Sequence, residues 1–364
     1  MTEGHRRPVR PAEDTGAAPV GAPPPLDGRC AALLGELAAD ARVLGWSEGV
    51  HLRTEYLTAR NAAVRHLVER HAVRAIAAET NFALSRASDA YIRGLGPDEP
   101  TPAAVTGVWS WSSTPLPDNR ALLRWLRRHN AALDPARHVR FYGLEMYGTG
   151  PGEPGGTPES TALDDLADRR HADHLRRLLL DHRAAGGDHR DLAVRDAAQY
   201  LTLQEVARRH PDDRVLLFEQ VEHLDRRVPD SLGAHLARHE LGRFRAVGAV
   251  WRDGDPTVRY PLGRYRELSR RLHDLTRAGP AGQAGPEHSG AALLAAPAGS
   301  AGSAGAAGSA GAAVFDLRPW RAAPGTATSG GSPAAHPDAP LADAATAFDA
   351  VLYTPTLSPA GHTP

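Results

Sequence analysis

The sequence predicts an α/β protein with a central, largely parallel sheet flanked by helices. Short apolar runs of strand length alternate with longer segments of helical period, which is typical of a sheet built from strand and helix units. Several of these runs end in an acidic residue, as expected where one edge of a sheet carries polar groups. Hydrophobic residues make up 41% and charged residues 23% of the 364 residues, so the chain can bury a sizeable core.

The first strand, loop and helix are predicted within residues 42–71. Residues 42–46 read as a buried strand, residues 47–52 as a polar loop and residues 53–71 as a helix. The apolar stripe of that helix runs through Tyr56, Leu57, Val64, Leu67 and Val68. Arg60 lies inside this stripe, and a guanidinium on a buried face is expected to need a carboxylate partner.

The same alternation continues along the chain. A helix at residues 29–41 precedes the first strand, and later strands are predicted at residues 73–78, 138–144, 214–218, 244–251, 313–317 and 348–354. Shorter helices are predicted at residues 85–93, 119–132, 231–239 and 265–277. Two long helices at residues 160–185 and 191–210 are predicted to form a helical hairpin, a lid over the strand ends.

Composition divides the chain into four parts. Residues 1–28 are Pro-rich and are predicted to be a disordered tail, and residues 29–277 are predicted to form an α/β domain with a helical insertion near residues 160–210. Residues 278–312 are rich in Ala and Gly and are predicted to be a flexible insertion, because they cannot bury enough apolar area. Residues 313–359 return to the same domain as its C-terminal strands, with a second flexible segment at residues 323–340.

Charge and residue usage exclude several classes of function. The net charge of −1 gives no electrostatic case for nucleic acid or acidic membranes. All 42 basic residues are Arg, so Schiff-base and P-loop lysine chemistry are excluded. Cys30 is the single cysteine and is interpreted as a packing residue. The sequence has no signal-peptide core or membrane span, and a cytoplasmic location is expected.

Ionisable residues gather where the predicted strands end. The loop after the first strand carries Glu48 and His51, close enough for the acid to orient the imidazole. The later strands run into Glu79, into Glu145 and Tyr147, and into Glu219, Gln220, Glu222 and His223. Because the carboxyl ends of parallel strands share one edge of the sheet, we expect a site assembled from several loops there.

Two groups of residues allow more than one interpretation. Trp109 and Trp111 could wall a substrate pocket, although tryptophans beside a helix are more often part of the core. His171, His174 and His182 share a helical spacing in part, which is compatible with a metal site. A solvated helix face is favoured, because the pattern fixes no further ligand.

At this point the sequence resembles the erythromycin esterase family. The resemblance lies in GWSEGVH followed by LRTEYLTAR, in AIAAETNF, VWSWSST, WLRRHN, FYGLEM, RDAAQYL, VLLFEQVEHL, SLGAHL, FDLRP and FDAVLYTPTLSP, and it extends over most of the chain from residue 29. It implies that Glu48 and His51 match the catalytic acid and histidine of the family. Arg60 matches its active-site arginine, and Glu79 matches the acid after the second strand.

The sequence departs from the family pattern in one motif and at two glycines. The family has His-Asn-x-His after the fourth strand, where this chain has Gln220, Val221, Glu222 and His223. Gln220 retains hydrogen-bonding capacity but cannot act as an acid, a base or an imidazole ligand. Ser47 and Leu52 replace glycines of the first motif, which is expected to change how closely a substrate or water approaches.

The leading hypothesis is an enzyme that hydrolyses an ester or lactone in a macrolide or polyketide-like small molecule. His51 is the expected general base, Glu48 and Glu79 orient or tune it, Arg60 holds the acids or an oxyanion, and His223 assists. Trp109, Trp111, Glu145, Tyr147 and Gln220 are the candidate substrate-binding residues. No metal, other cofactor, nucleic acid or membrane partner is expected.

Three alternatives remain open. With Gln220 in place of a histidine, the same pocket could promote elimination, epimerisation or ring closure without attack by water. A binding or regulatory protein that has lost catalysis is a second alternative. The third is a divalent metal held by Glu48, His51, Glu79 and His223, since two imidazoles and two carboxylates suit a borderline ion.

Overall fold

A computed structural model describes residues 22–82, 84–108, 116–145, 166–187, 191–239, 243–256, 258, 262–282, 292–293, 312–321 and 338–360. Its centre is an eight-stranded sheet, which confirms the predicted α/β class. The strands in chain order are β1 Val43–Glu48, β2 Val73–Asn81, β3 Arg140–Glu145, β4 Arg214–Gln220, β5 Phe244–Trp251, β6 Ala292–Leu293, β7 Ala313–Asp316 and β8 Ala350–Thr354.

The strand order across the sheet is β3-β2-β4-β1-β5-β8-β7-β6. The first six of these strands run parallel, whereas β7 is antiparallel to both β8 and β6. Since β4 inserts between β1 and β2, the carboxyl ends of these three strands lie side by side. That edge is where open α/β sheets hold their ligands.

Helices cover the sheet. They are α1 Gly28–Asp40, α2 Thr54–Arg70, α3 Ser85–Ile92, α4 Pro102–Val108, α5 Pro117–Ala131, α6 Leu166–Ala184, α7 Leu192–Arg209, α8 Val221–Leu224, α9 Leu232–His239, α10 Arg266–Gly282 and α11 Ala339–Ala347. The central strands are apolar along almost their whole length because both faces are covered, so β4 reads RVLLF before its terminal polar pair. No helix among these described segments combines the length and apolar character needed to cross a bilayer.

The predicted helical hairpin is present as α6 and α7. The His171 ring bonds the Thr202 hydroxyl across the pair at 3.0 Å, and His182 pairs with Asp191 at 3.0 Å. Helix α7 packs against β2 and β3. Its first turns therefore cover the strand ends. In the part of the chain that the structure describes, neither histidine belongs to a cluster of metal ligands.

Several predicted boundaries differ from the structure. The tail was predicted to extend through residue 28, but Asp27 caps α1 by accepting from the Arg29 amide at 2.9 Å. Leu26 packs on the core as well. At the other end, α10 continues to Gly282 and α11 begins at Ala339, within segments predicted to be flexible. Pro340 in the first turn of α11 is compatible with a helix start, because that turn needs no amide donor there.

Candidate active site

Two strands end in register with functional side chains. Ser47 and Glu48 of β1 pair with Glu219 and Gln220 of β4. On the other side of β4 lies β2, which continues through Glu79, a residue predicted to follow the strand rather than lie in it. The three strands thus bring three carboxylates to one edge of the sheet.

Glu48 and His51 form a close pair at the end of β1. The Glu48 Oε1 atom lies 2.6 Å from His51 Nδ1, and the side chains are 13% and 37% exposed. With Glu48 accepting a hydrogen from Nδ1, the lone pair of the neutral imidazole is at Nε2. Burial lowers the pKa of His51, but the hydrogen bond and charge of Glu48, helped by Glu79, outweigh it, so the pKa is raised.

The turn between Glu48 and His51 requires glycine at position 49. A Cβ built on Gly49 would lie 2.7 Å from the Trp251 ring and 2.7 Å from the Tyr56 hydroxyl. Leu52, in place of a family glycine, has a φ of 61°, which is in the left-handed region. The loop therefore retains a glycine-like backbone at that position.

His223 lies in a second ionisable cluster. Its Nδ1 is 2.5 Å from Asp196 Oδ1, and its Nε2 is 3.5 Å from Glu79 Oε1. The other Asp196 oxygen accepts the Leu232 amide at 2.7 Å, which fixes the carboxylate at the start of α9. Burial lowers the pKa of His223, but the charges of Glu79 and Asp196 outweigh it and raise the pKa well above the usual value.

Glu79 is held from two sides. Arg195 Nη2 donates to Oε1 at 3.0 Å, and the Gln220 amide donates to Oε2 at 3.0 Å. Although burial opposes ionisation, the charges of His223, His51 and Arg195 lower the pKa of Glu79. Glu145 in turn accepts from Arg195 Nε at 3.1 Å, so it anchors the arginine that reaches Glu79.

Glu219 differs from its neighbours because its carboxyl group is buried without compensation. Its side chain is 1% exposed, and neither oxygen has a hydrogen-bond partner among the described residues. Burial, followed by the charge of Glu79, raises the pKa of Glu219 well above its ordinary value. Both effects favour the protonated, uncharged form of this carboxyl group.

The two clusters border one cleft of about 540 Å³. The residues that line it are Gly49, Val50, His51, Glu79, Arg195, Gln220, Val221, Glu222, His223, Trp251, Leu262 and Tyr265. A volume of this order holds a small-molecule ligand. His51, Glu79 and His223, predicted from separate strand ends, therefore face the same space.

Behind the cleft is an inner cavity of about 20 Å³, a space for one water molecule. Glu48, Arg60, Ser47 and Glu219 are among the residues that line it. The stretch GWSEG, with Ser47 at its centre, has the spacing of a nucleophile elbow. The Ser47 side chain, however, is 1% exposed and faces this inner cavity rather than the cleft.

Arg60 was predicted to pair with a carboxylate, and the structure differs. Its guanidinium donates to Asn61 Oδ1 at 3.0 Å and to Asn119 Oδ1 at 2.7 Å. It also lies over the Phe218 ring, 5.9 Å from the centroid. Amide oxygens satisfy the donors without burying a second charge. Arg60 therefore lines the inner cavity, and its guanidinium group does not line the cleft.

Other predicted residues lie elsewhere or outside the described segments. Glu145 is 1% exposed behind Arg195 and lies outside the cleft lining. Gln220 lines the cleft. Trp109, Trp111 and Tyr147 are not among the described residues.

Sequence reasoning missed the contribution of α7. Arg195, Asp196 and Gln199 reach the site from this helix, and Asp196 and Gln199 are fully buried. The available signal was the motif RDAAQYL, in which polar residues at the first, second and fifth positions share a helix face with small alanines. Glu219 was noted at its strand end but was given no role.

One group of possible metal ligands occurs among the described residues. Glu79, Glu219 and His223 each offer an atom within 4.8 Å of the others. The predicted metal set included Glu48 and His51, which instead pair with each other. Glu219 takes their place in the group.

Comparisons with known proteins agree with the fold. The model of the erythromycin esterase family matches residues 68–179, a stretch that contains Glu79 and Glu145. A mutant of the erythromycin esterase EreC in its open conformation superposes with a TM-score of 0.50 at 14% identity, covering 91% of this chain and 94% of that one.

Two further solved structures share the architecture. A protein from Bacillus cereus has a TM-score of 0.50 at 12% identity and covers 91% of this chain and 92% of its own. A succinoglycan biosynthesis protein has a TM-score of 0.53 at 12% identity, covering 90% of this chain and 91% of its own. Family match and fold together support an esterase-like hydrolase at the level of the family. The partial family match and the shared fold are consistent with a divergent relative of the erythromycin esterase family.

Proposed function

We propose that this chain hydrolyses an ester or lactone bond in a macrolide or polyketide-like small molecule, with His51 as the general base. The observation that carries the proposal is the Glu48 and His51 pair, 2.6 Å apart, in which His51 lines a cleft of about 540 Å³. The family match supports hydrolysis, and the cleft volume is compatible with a large organic substrate.

The pair can activate water. Glu48 occupies Nδ1 of His51, so Nε2 removes a proton as a cleft water attacks the acyl carbon. The negative charge of Glu48 stabilises the imidazolium that results. A positioned base of this kind contributes roughly 100-fold to 10,000-fold to the rate.

Two basic side chains on the cleft wall can stabilise the negative charge that the attack of water creates. Arg195 and His223 both line the cleft, and either of them, His223 in its protonated form, can donate a hydrogen bond to the oxyanion formed by the attack. His223 can also supply a proton to the leaving alkoxide. Arg195 takes the role that the sequence suggested for Arg60, because the Arg60 guanidinium lies in the inner cavity instead.

Direct attack by water is favoured over an acyl-enzyme. A serine nucleophile must contact both the substrate and a base, whereas Ser47 is buried away from the cleft. Replacing Ser47 with Ala is therefore expected to leave hydrolysis unchanged.

The test uses the full chain with an erythromycin-type macrolactone and with chromogenic acyl esters. In ¹⁸O-labelled water, hydrolysis places one labelled oxygen in the new carboxylate. His51→Ala is expected to reduce kcat/KM by roughly 100-fold to 10,000-fold. The matched control is His210→Ala, which breaks another His and carboxylate pair, 3.1 Å long, at the amino end of β4.

Two results would contradict the proposal. An isomerised or dehydrated product without label would favour acid/base chemistry that does not use water, for which Gln220 in place of a histidine is the motivating observation. Ligand binding without turnover in the parent chain, and unchanged in His51→Ala, would indicate a binding protein.

A further inference from the structure

We propose that Glu79, Glu219 and His223 form a binding site for one divalent first-row transition metal ion, such as Zn²⁺ or Mn²⁺. This site goes beyond the hydrolytic proposal, in which no step uses a metal. It depends on the cluster beside the Glu48 and His51 pair, not on that pair itself.

The first argument is spacing. One donor atom from each of the three residues lies within 4.8 Å of the others. His223 Nε2 and Glu79 Oε1 are 3.5 Å apart. Two ligands bound at about 2.1 Å in tetrahedral geometry lie about 3.4 Å apart, so this pair already has the required separation. The Glu219 donor atom lies at most 4.8 Å from the other two and must approach to about 3.4 Å to complete the site.

The second argument is the unsatisfied carboxyl group of Glu219. Both of its oxygens are buried without a hydrogen-bond partner among the described residues, although the side chain is 1% exposed. Isolated buried carboxylates are strongly unfavourable, and buried acids are usually paired or coordinate metals. A divalent cation between Glu219 and Glu79 would stabilise both as carboxylates.

The third argument is the support around the ligands. Asp196 lies 2.5 Å from His223 Nδ1, and the Leu232 amide fixes that carboxylate. Metal-binding histidines characteristically donate their second ring nitrogen to such a carboxylate, which orients the ring and raises its basicity. The Gln220 amide holds the second oxygen of Glu79 in the same way.

The donor set and the cleft indicate the class of ion. Two carboxylates and one imidazole suit Zn²⁺ or Mn²⁺ better than Mg²⁺, which prefers oxygen ligands alone. Glu79 and His223 also line the cleft, so a fourth position would face it. Three protein ligands with one open position are the arrangement found in catalytic zinc sites.

The experiment measures binding of the metal alone, without substrate. The full chain is equilibrated with Zn²⁺ or Mn²⁺, dialysed and analysed for metal content, and Co²⁺ is added as a spectroscopic probe. We expect one ion per chain and an increase in Tm with Zn²⁺. Glu219→Gln and His223→Ala are expected to weaken binding by roughly 100-fold or more, and Asp196→Asn by about 10-fold to 100-fold.

Two controls separate this site from its neighbours. His51→Ala and Glu222→Gln remove cleft residues outside the group and are expected to retain the ion. If Glu219→Gln does not fold, Glu219→Ala and the visible spectrum of the Co²⁺-loaded parent chain provide the same test. Absence of stoichiometric binding, or unchanged affinity in both Glu219 variants, would overturn the site. Loss of binding in His51→Ala would assign the ion to the Glu48 and His51 pair instead.

Failure of this proposal leaves the hydrolytic one intact. Metal content is measured without turnover, whereas the role of His51 is measured by kcat/KM and by label incorporation. A bound ion would occupy Nε2 of His223, so His223 could not also donate a proton there and Arg195 alone would stabilise the oxyanion. The role of His51 as the base is tested independently of that outcome.

Discussion

The hydrogen bond from His51 to Glu48 controls both the orientation and the basicity of the imidazole. The acid raises the pKa of His51, and a general base must be unprotonated to accept a proton. Activity should therefore fall as pH decreases through a pKa that lies above the ordinary imidazole value. This dependence gives a residue-level test of the pair.

We expect Glu48→Gln to move the acid limb of the kcat/KM profile to lower pH. Without the carboxylate, the imidazolium form of His51 loses its countercharge, and burial lowers the pKa of the ring. The decrease in kcat/KM at the optimal pH should be smaller than the roughly 100-fold to 10,000-fold decrease expected when the base itself is removed. A pH-rate profile checks this prediction.

The control for this profile is Glu69→Gln, which removes a surface acid that pairs with Arg65 on α2. It should leave the acid limb where it is in the parent chain. A limb that stays in place in Glu48→Gln as well would mean that His51 is not the group titrating in the profile.

Leu52 gives a second residue-level prediction, one that concerns backbone strain. Its φ of 61° costs a non-glycine residue about 1–2 kcal/mol, while glycine loses about 0.5–1 kcal/mol through unfolded-state entropy. Leu52→Gly should therefore leave Tm unchanged or raise it. Leu52→Val should lower Tm, because β-branched residues tolerate this region poorly. Equal destabilisation by both substitutions in a thermal melt would contradict the strain argument.

At the scale of elements, the strands could be predicted well from the sequence. Each central strand is a short apolar run because it is buried on both faces, and that signal is local. The residues at its end follow directly, so His51, Glu79 and His223 could be assigned to one edge before their distances were known. These residues come together because the strands that carry them are parallel neighbours in the sheet. That strand order is set by tertiary packing and not by the local sequence.

The contribution of α7 was harder to predict for a physical reason. Asp196 and Gln199 lie on a helix face that contacts His223 of α8 and Glu145 at the end of β3. Helical periodicity indicates which residues share a face, but it does not identify the surface opposite that face. The expected carboxylate partner of Arg60 was wrong for the same reason, since the amide partner Asn119 lies 59 positions away on α5.

At the scale of the whole molecule, Asp349 joins distant parts of the chain at the edge of the sheet opposite the cleft. It precedes β8, is fully buried and accepts from the Ala246 amide of β5 at 2.9 Å. Arg226 also donates to it, and Arg321 lies 3.2 Å away. One carboxylate thus connects β5, β8 and two loops.

Replacing Asp349 with Asn should destabilise the fold by about 3–5 kcal/mol, because it leaves Arg226, 14% exposed, without its countercharge. Glu99→Gln is the matched control, since the Arg124 and Glu99 pair is exposed and worth at most about 1 kcal/mol. Denaturant unfolding measures both. Activity per folded molecule should be unchanged in each variant, since Asp349 lies far from the cleft.

The pH dependence of this difference provides the sharper test. Although burial opposes ionisation, Arg226 and the Ala246 amide lower the pKa of Asp349. A lowered carboxyl pKa contributes stability that is present above the unfolded value of about 3.9 and is lost as pH falls through the folded value. The difference in the free energy of unfolding between the parent chain and Asp349→Asn should therefore be large at pH 7 and small in acid. A gap independent of pH would indicate lost packing rather than lost charge.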